Sequence, residues 1–164
     1  MQLNSLKDLY VQQLKDLYSA ESQLIDALPK MAKSASTDSL REAFENHLEE
    51  TRKQKDRIEE IFSELDEKPS GHKCKGMEGL IAEGSEFLDN GGDSDVVDAG
   101  LIAAAQRVEH YEIAGYGTAK AFAKQLGEER AGKLLDDTLQ EESQANEKLN
   151  KIALQTVNKQ APQE

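Results

Sequence analysis

The sequence predicts an all-α protein: a four-helix bundle of two antiparallel hairpins, joined by a long crossover that carries a short extra helix. Three observations predict it. Apolar residues recur at alternating three- and four-residue steps along four long stretches, the spacing of one helical face. Only 3 prolines interrupt 164 residues, and Ala, Leu, Glu, Lys and Gln, the good helix formers, dominate the rest. The breaks are also uneven, short within each pair of helices and roughly 30 residues between the pairs, so short links make antiparallel neighbours and the long one can run the bundle's length.

The first helix is read over 3–33 on Leu3, Leu6, Tyr10, Leu14, Leu17, Leu24 and Leu28, with Pro29 placed to kink its final turn. "SASTDS" is a polar break with capping residues. The second helix follows over 38–66 on Leu40, Phe44, Leu48, Ile58, Phe62 and Leu65. "EKPSGHKCKG" stops it, and "GMEGLIAEGSEFLDNGGDSD" reads as a short helix ending in a glycine turn. The third helix spans 95–126 on Leu101, Ala105, Val108, Ala119, Phe122 and Leu126. Gly127 separates it from the fourth, 128–157, on Leu134, Leu135, Leu139, Leu149 and Ile152. Residues 1–158 thus read as a single bundle domain, ferritin-like in having one long crossover, and 159–164 as a disordered tail.

The charge narrows the function. With 32 acidic residues against 20 basic ones the net charge is −12, which argues against nucleic acid, whose phosphates need clustered Lys and Arg. Such a surface confers solubility and attracts cations. Cys74 is the lone cysteine, so no intramolecular disulfide forms and a reducing compartment is expected. The N-terminus lacks the pattern of a signal peptide, and no apolar run approaches the roughly 20 residues that cross a bilayer. A cytoplasmic protein with no membrane partner is expected.

Several acids fall where a core should be. Helical wheels advance about 100° per residue. Glu21 lies midway between Leu14 and Leu28, Glu112 between Ala105 and Ala119, and Glu142 between Leu135 and Leu149, each in its apolar stripe. His47 occupies the stripe of the second helix, Glu50 borders it one turn on, and Glu109 lies one turn before Glu112 and to one side. Depth is more telling. The midpoint of Glu21 and Glu50 falls in the "SASTDS" turn, and that of Glu112 and Glu142 falls on Gly127. Each pair is therefore about 15 residues, or about 22 Å, from its own turn, and the four carboxylates can converge at one height. A single Glu in a stripe is more often a snorkelling side chain, and a single His a hydrogen-bonded core residue. Four acids at matched levels call for compensation, because a buried unpaired carboxylate costs several kcal/mol or becomes protonated. No Lys or Arg shares these positions, Lys55 coming closest. Two divalent cations would balance four negative charges. Carboxylates with one imidazole suit iron or manganese. The usual dimetal bundle uses Glu-x-x-His on two helices; here the second helix has "HLEE" and the fourth has no histidine, leaving Glu109 and Glu112, three residues apart on one face, to supply the missing donor.

The stretches "LYSAESQL", "HLEETRKQ", "KCKGMEGLI", "DAGLIAAAQRVEHYEIAGYGT" and "LLDDTLQEE" resemble the YciF family of bacterial stress-response proteins, related to rubrerythrin, over nearly the whole chain. The resemblance implies a ferritin-like homodimer whose metal ligands are Glu21, His47, Glu50, Glu109, Glu112 and Glu142, holding two divalent iron or manganese ions. It implies a role in stress and, since catalase-like manganese chemistry has been proposed for relatives, peroxide or dioxygen as substrate. The alternative is a non-catalytic helical stress protein acting through protein partners. Cys74, in the family's "KC" motif, is either a redox thiol or, the favoured reading, a small packing residue. Gly115 and Gly117 would allow close helix contact or a π-bulge, and His110 should point outward.

Overall fold

The computed structural model describes residues 3–69 and 71–163. Its elements are α1 (Leu6–Ser34), α2 (Asp38–Glu64), α3 (Lys75–Asp89), α4 (Ser94–Leu126) and α5 (Glu129–Ile152), then a π-helical turn, Ala153–Val157, and α6 (Asn158–Gln160). α1 packs on α2 and α4 on α5, while α1 meets α4 and α2 meets α5 across the hairpins, which closes a four-helix bundle. The crossover runs the bundle's length, and its helix α3 lies against α1 and α4. Among the described residues, no helix is long and apolar enough to cross a membrane.

Local chemistry sets the ends. Ser5 starts α1 with a capping box: its hydroxyl accepts from the Asp8 N–H while the Asp8 carboxylate accepts from Ser5 N–H. Leu3 is exposed and precedes the helix, so the stripe begins at Leu6 rather than Leu3. α1 continues through Pro29 to Ser34. Asp93 caps α4 by accepting from the N–H groups of Asp95 and Val96. Gly127 ends α4 at φ +79°, a left-handed conformation that favours glycine. Beyond α5, Ala153 and Val157 are both buried in the core, and helical structure reaches Gln160, into the segment expected to be a tail.

The α1–α2 turn is held from another helix. Thr37, the N-cap of α2, makes no side-chain cap bond. Instead Asp98 of α4, fully buried, accepts from Ser36 N–H (2.9 Å), Ser36 Oγ–H (2.8 Å) and Thr37 N–H (2.8 Å). Burial pushes the Asp98 pKa up, but these donors outweigh it and leave the group below the ordinary value.

The core is divided. One apolar cluster, around Leu24, Leu28, Leu40, Phe44, Leu101 and Leu149, fills the end near the α1–α2 turn. Another, around Leu14, Leu17, Ile58, Phe62, Tyr116 and Leu135, fills the opposite end. Between them every long bundle helix contributes polar side chains to a middle layer. Gly115 lets α4 approach α1 closely: a Cβ there would stand 2.8 Å from Leu17 Cδ2. Gly117 has open space, and α4 is α-helical throughout, so the π-turn lies after α5 and not at these glycines.

Asp98→Ala removes the acceptor for two backbone N–H groups in a partly buried turn, and should cost about 1–3 kcal/mol in urea unfolding with helix content unchanged. A loss below about 0.5 kcal/mol, the scale of an ordinary surface substitution, would show that the turn stands without it.

Candidate metal centre

The middle layer holds five ionisable side chains, each at least nine-tenths buried: Glu21 from α1, His47 from α2, Glu109 and Glu112 from α4, and Glu142 from α5. One ligand atom each from His47, Glu109, Glu112 and Glu142 can be chosen so that all lie within 4.8 Å of one another. His47 Nε2 is 3.3 Å from Glu109 Oε1 and 3.7 Å from Glu142 Oε2. Its other nitrogen, Nδ1, is 3.5 Å from Glu50 Oε2. Glu21 completes the group from the α1 side, where its Oε1 accepts from the hydroxyl of the fully buried Tyr116.

Of the six candidate ligands, five therefore meet in the interior. The sixth, Glu50, does not: its side chain is 46 % exposed and reaches the site only through His47. Glu109, which the helical wheel set to one side, takes the interior place expected of Glu50. The reason is local, since Glu50 sits three residues after His47 and only borders the face that His47 centres. Tyr116 was missed as a site residue; its position one turn after Glu112, on the same face, is the signal that could have found it.

The interior group lacks the partners that buried polar atoms have almost everywhere else. Among the described residues, eleven buried side-chain N or O atoms have no hydrogen-bond partner, and eight of them belong to Glu21, His47, Glu109, Glu112 and Glu142. Buried polar groups are nearly always satisfied, so such a concentration in one place points to a missing partner. No Lys or Arg among the described residues pairs with these carboxylates; Lys55 lies instead over the Tyr18 ring, 4.9 Å from its centroid. Burial raises the pKa of Glu21 to about 7, against the hydrogen bond from Tyr116 and the charge of His47, which lower it. Burial also drives Glu112 and Glu142 well above the carboxylate range, helped by neighbouring acids. Burial would lower the His47 pKa, but Glu109, Glu50 and Glu21 override it and bring the imidazole to about 9.

Glu141, next in the chain, shows the ordinary solution. It receives both guanidinium nitrogens of Arg57, at 2.6 and 2.8 Å, and the amide of Gln54 at 3.1 Å. Burial raises its pKa, yet these donors prevail and hold it below the ordinary value. Nothing comparable serves Glu112 or Glu142. The donor set, carboxylate oxygens with one imidazole, fits a hard or borderline divalent cation, and the unpartnered atoms fit it as ligands.

The remaining expectations fall outside this centre. Cys74 is buried in the core at the start of α3, where its Sγ accepts from Met77 N–H (3.4 Å) and lies 2.8 Å from the Tyr111 hydroxyl. His110 is exposed, as expected.

The pKa shifts fix how the metal-free protein responds to pH. Folding favours protonated Glu21, from an ordinary 4.5 to about 7, so that contribution is complete below pH 4.5 and gone above pH 7. Folding also favours protonated His47, from 6.5 to about 9, so its contribution is complete below pH 6.5 and lost as pH rises through 9. Urea unfolding of metal-free protein should show stability falling from about pH 5 to about pH 9, and saturating manganous ion should reverse the trend, because ligands must be deprotonated to bind it. A flat profile without metal would contradict this electrostatic picture.

Residues 5–162 match the family described as "Domain of unknown function (DUF892)". Protein YciF of Escherichia coli (strain K12) is 47 % identical over 162 residues, which cover 98 % of this chain and 98 % of that protein. The crystal structure of the E. coli stress protein YciF has a TM-score of 0.92 at 46 % identity, covering 96 % of this chain and 100 % of that one. YcfI of Rhodopseudomonas palustris, proposed there to be a structural protein, gives a TM-score of 0.87 at 44 % identity, covering 90 % and 94 %. The chain belongs to the DUF892 family, with the helical bundle of YciF.

Proposed function

We propose that this chain is a stress-response dimetal-carboxylate protein that binds two divalent iron or manganese ions and acts on hydrogen peroxide or dioxygen. The observation that carries the reading is the set of eight unpartnered N and O atoms on five buried side chains with no lysine or arginine among them. Cations among these atoms turn an expensive arrangement into a favourable one.

Glu109, Glu112, Glu142 and His47 would hold the ions from α2, α4 and α5, and Glu21 would do so from α1, with Glu50 at the rim joining through movement of its half-exposed side chain. Redox-active ions held by these residues would supply electron transfer to peroxide, by which it could be disproportionated to water and dioxygen. The protein's own groups set the conditions. The two apolar clusters close the layer to bulk water at its two ends. Tyr116 keeps its proton, its pKa raised by burial and by Glu21 and Glu112, and so donates to Glu21 and fixes that carboxylate's orientation.

A second reading has one observation in its favour: YcfI, 44 % identical, is proposed to be a structural protein. On that reading the cluster holds metal for rigidity or holds none. Elemental analysis of protein purified without chelators, followed by a peroxide assay on the same sample, separates the two. Bound iron or manganese with peroxide consumption supports the enzyme; metal without consumption supports the structural protein.

Glu112→Gln separates ligand from filler. It should reduce metal affinity by more than the roughly 10–100-fold that loss of an outer-shell partner costs. The same change should stabilise the metal-free protein by about 1–3 kcal/mol at pH 8, since an amide replaces a buried carboxylate without a partner. Unchanged metal content would rule Glu112 out as a ligand.

A further inference from the structure

The buried carboxylates need a route from solvent, and the fold leaves few. Apolar clusters close both ends of the layer. A cavity of about 50 Å³ between α1, α3 and α4 is walled by Leu24, Leu80, Leu88 and Val108 and touches none of the five interior site residues. A larger cavity, about 140 Å³, lies between α2, α4 and α5, and its inner wall is His47 and Glu109. Glu50, Gln144 and Lys148 line its outer part, and Ala43 and Ala145, on facing helices, leave the space between.

His47 stands between this cavity and the deeper carboxylates. Its Nδ1 faces Glu50 at 3.5 Å, and its Nε2 faces Glu109 at 3.3 Å and Glu142 at 3.7 Å. Neither nitrogen has a hydrogen-bond partner, although the side chain is only 7 % exposed. The imidazole is thus a buried, unsatisfied polar group at the inner end of an open cavity. Glu50 offers a half-exposed carboxylate one turn further along α2, placed to meet a cation first. At about 30 Å³ per water molecule in the liquid, the space suits a few water-sized molecules.

We propose that the cavity between α2, α4 and α5 is the path by which divalent cations and hydrogen peroxide reach the centre. The inference rests on the dimetal reading above and gives that site its route from solvent. Iron held by the interior residues would supply the two electrons that, with two protons, turn hydrogen peroxide into two water molecules.

The test uses the full chain, freed of metal, with manganous ion as the uptake probe. Ala145→Phe, and Gln144→Trp on the exposed lip, should each slow uptake by at least about tenfold, as expected when binding must wait for a conformational opening. Final stoichiometry should stay unchanged, and the control Ala121→Phe, exposed on α4, should leave the rate alone. If Ala145→Phe fails to fold by circular dichroism, Gln144→Trp carries the test. Unchanged uptake rates in both variants would overturn the path. An unaltered protein that takes up no metal would overturn the dimetal reading and this inference together.

Discussion

Four carboxylates and an imidazole packed into one buried layer set the central electrostatic problem of this fold. Like charges at this separation repel strongly where the dielectric is low. Without a compensating cation the group must hold protons, which is why Glu21, Glu112 and Glu142 are driven upward and His47 is driven to remain charged. The surrounding architecture is organised around that layer. Each long bundle helix is apolar on both sides of it, so the core is two separate clusters rather than one. Those clusters hold the helices in register, and the register brings the acids to one height.

Two other acids, the buried Asp98 and the partly buried Glu141, show that the fold has ordinary means of satisfying a carboxylate. Asp98 takes three donors from the α1–α2 turn, and Glu141 takes a bidentate arginine and an amide. Both end with lowered pKa values. In each, local donors were supplied by the same chain. The central group differs in kind, having donors only from Tyr116 and contacts only among its own members. That contrast, within one molecule, is the physical ground on which the proposal of a metal centre rests.

Much of this was legible in the sequence. The seven-residue placement of Glu21, Glu112 and Glu142 between apolar neighbours located three interior acids, because each is centred in its stripe. The turns at "SASTDS" and Gly127 gave their common depth, since helix rise is uniform. Glu50 and Glu109 were harder, as both sit at a stripe's border, where a small rotation of the helix decides between solvent and core. The structure turns Glu109 inward and leaves Glu50 at the rim. Asp98 could not have been assigned to the turn it holds, because that contact joins residues about sixty positions apart and leaves no local pattern. The last helical residues, Asn158–Gln160, were likewise hidden, because they are polar and carry no apolar stripe.

Anomalous diffraction tests the account most directly. Crystals of the full chain, grown with manganous or ferrous ion and measured at the metal's absorption edge, should show anomalous peaks within coordination distance of Glu109, Glu112, Glu142 and His47. An interior without such a peak, its carboxyl groups protonated and bonded to one another or to water, would contradict it.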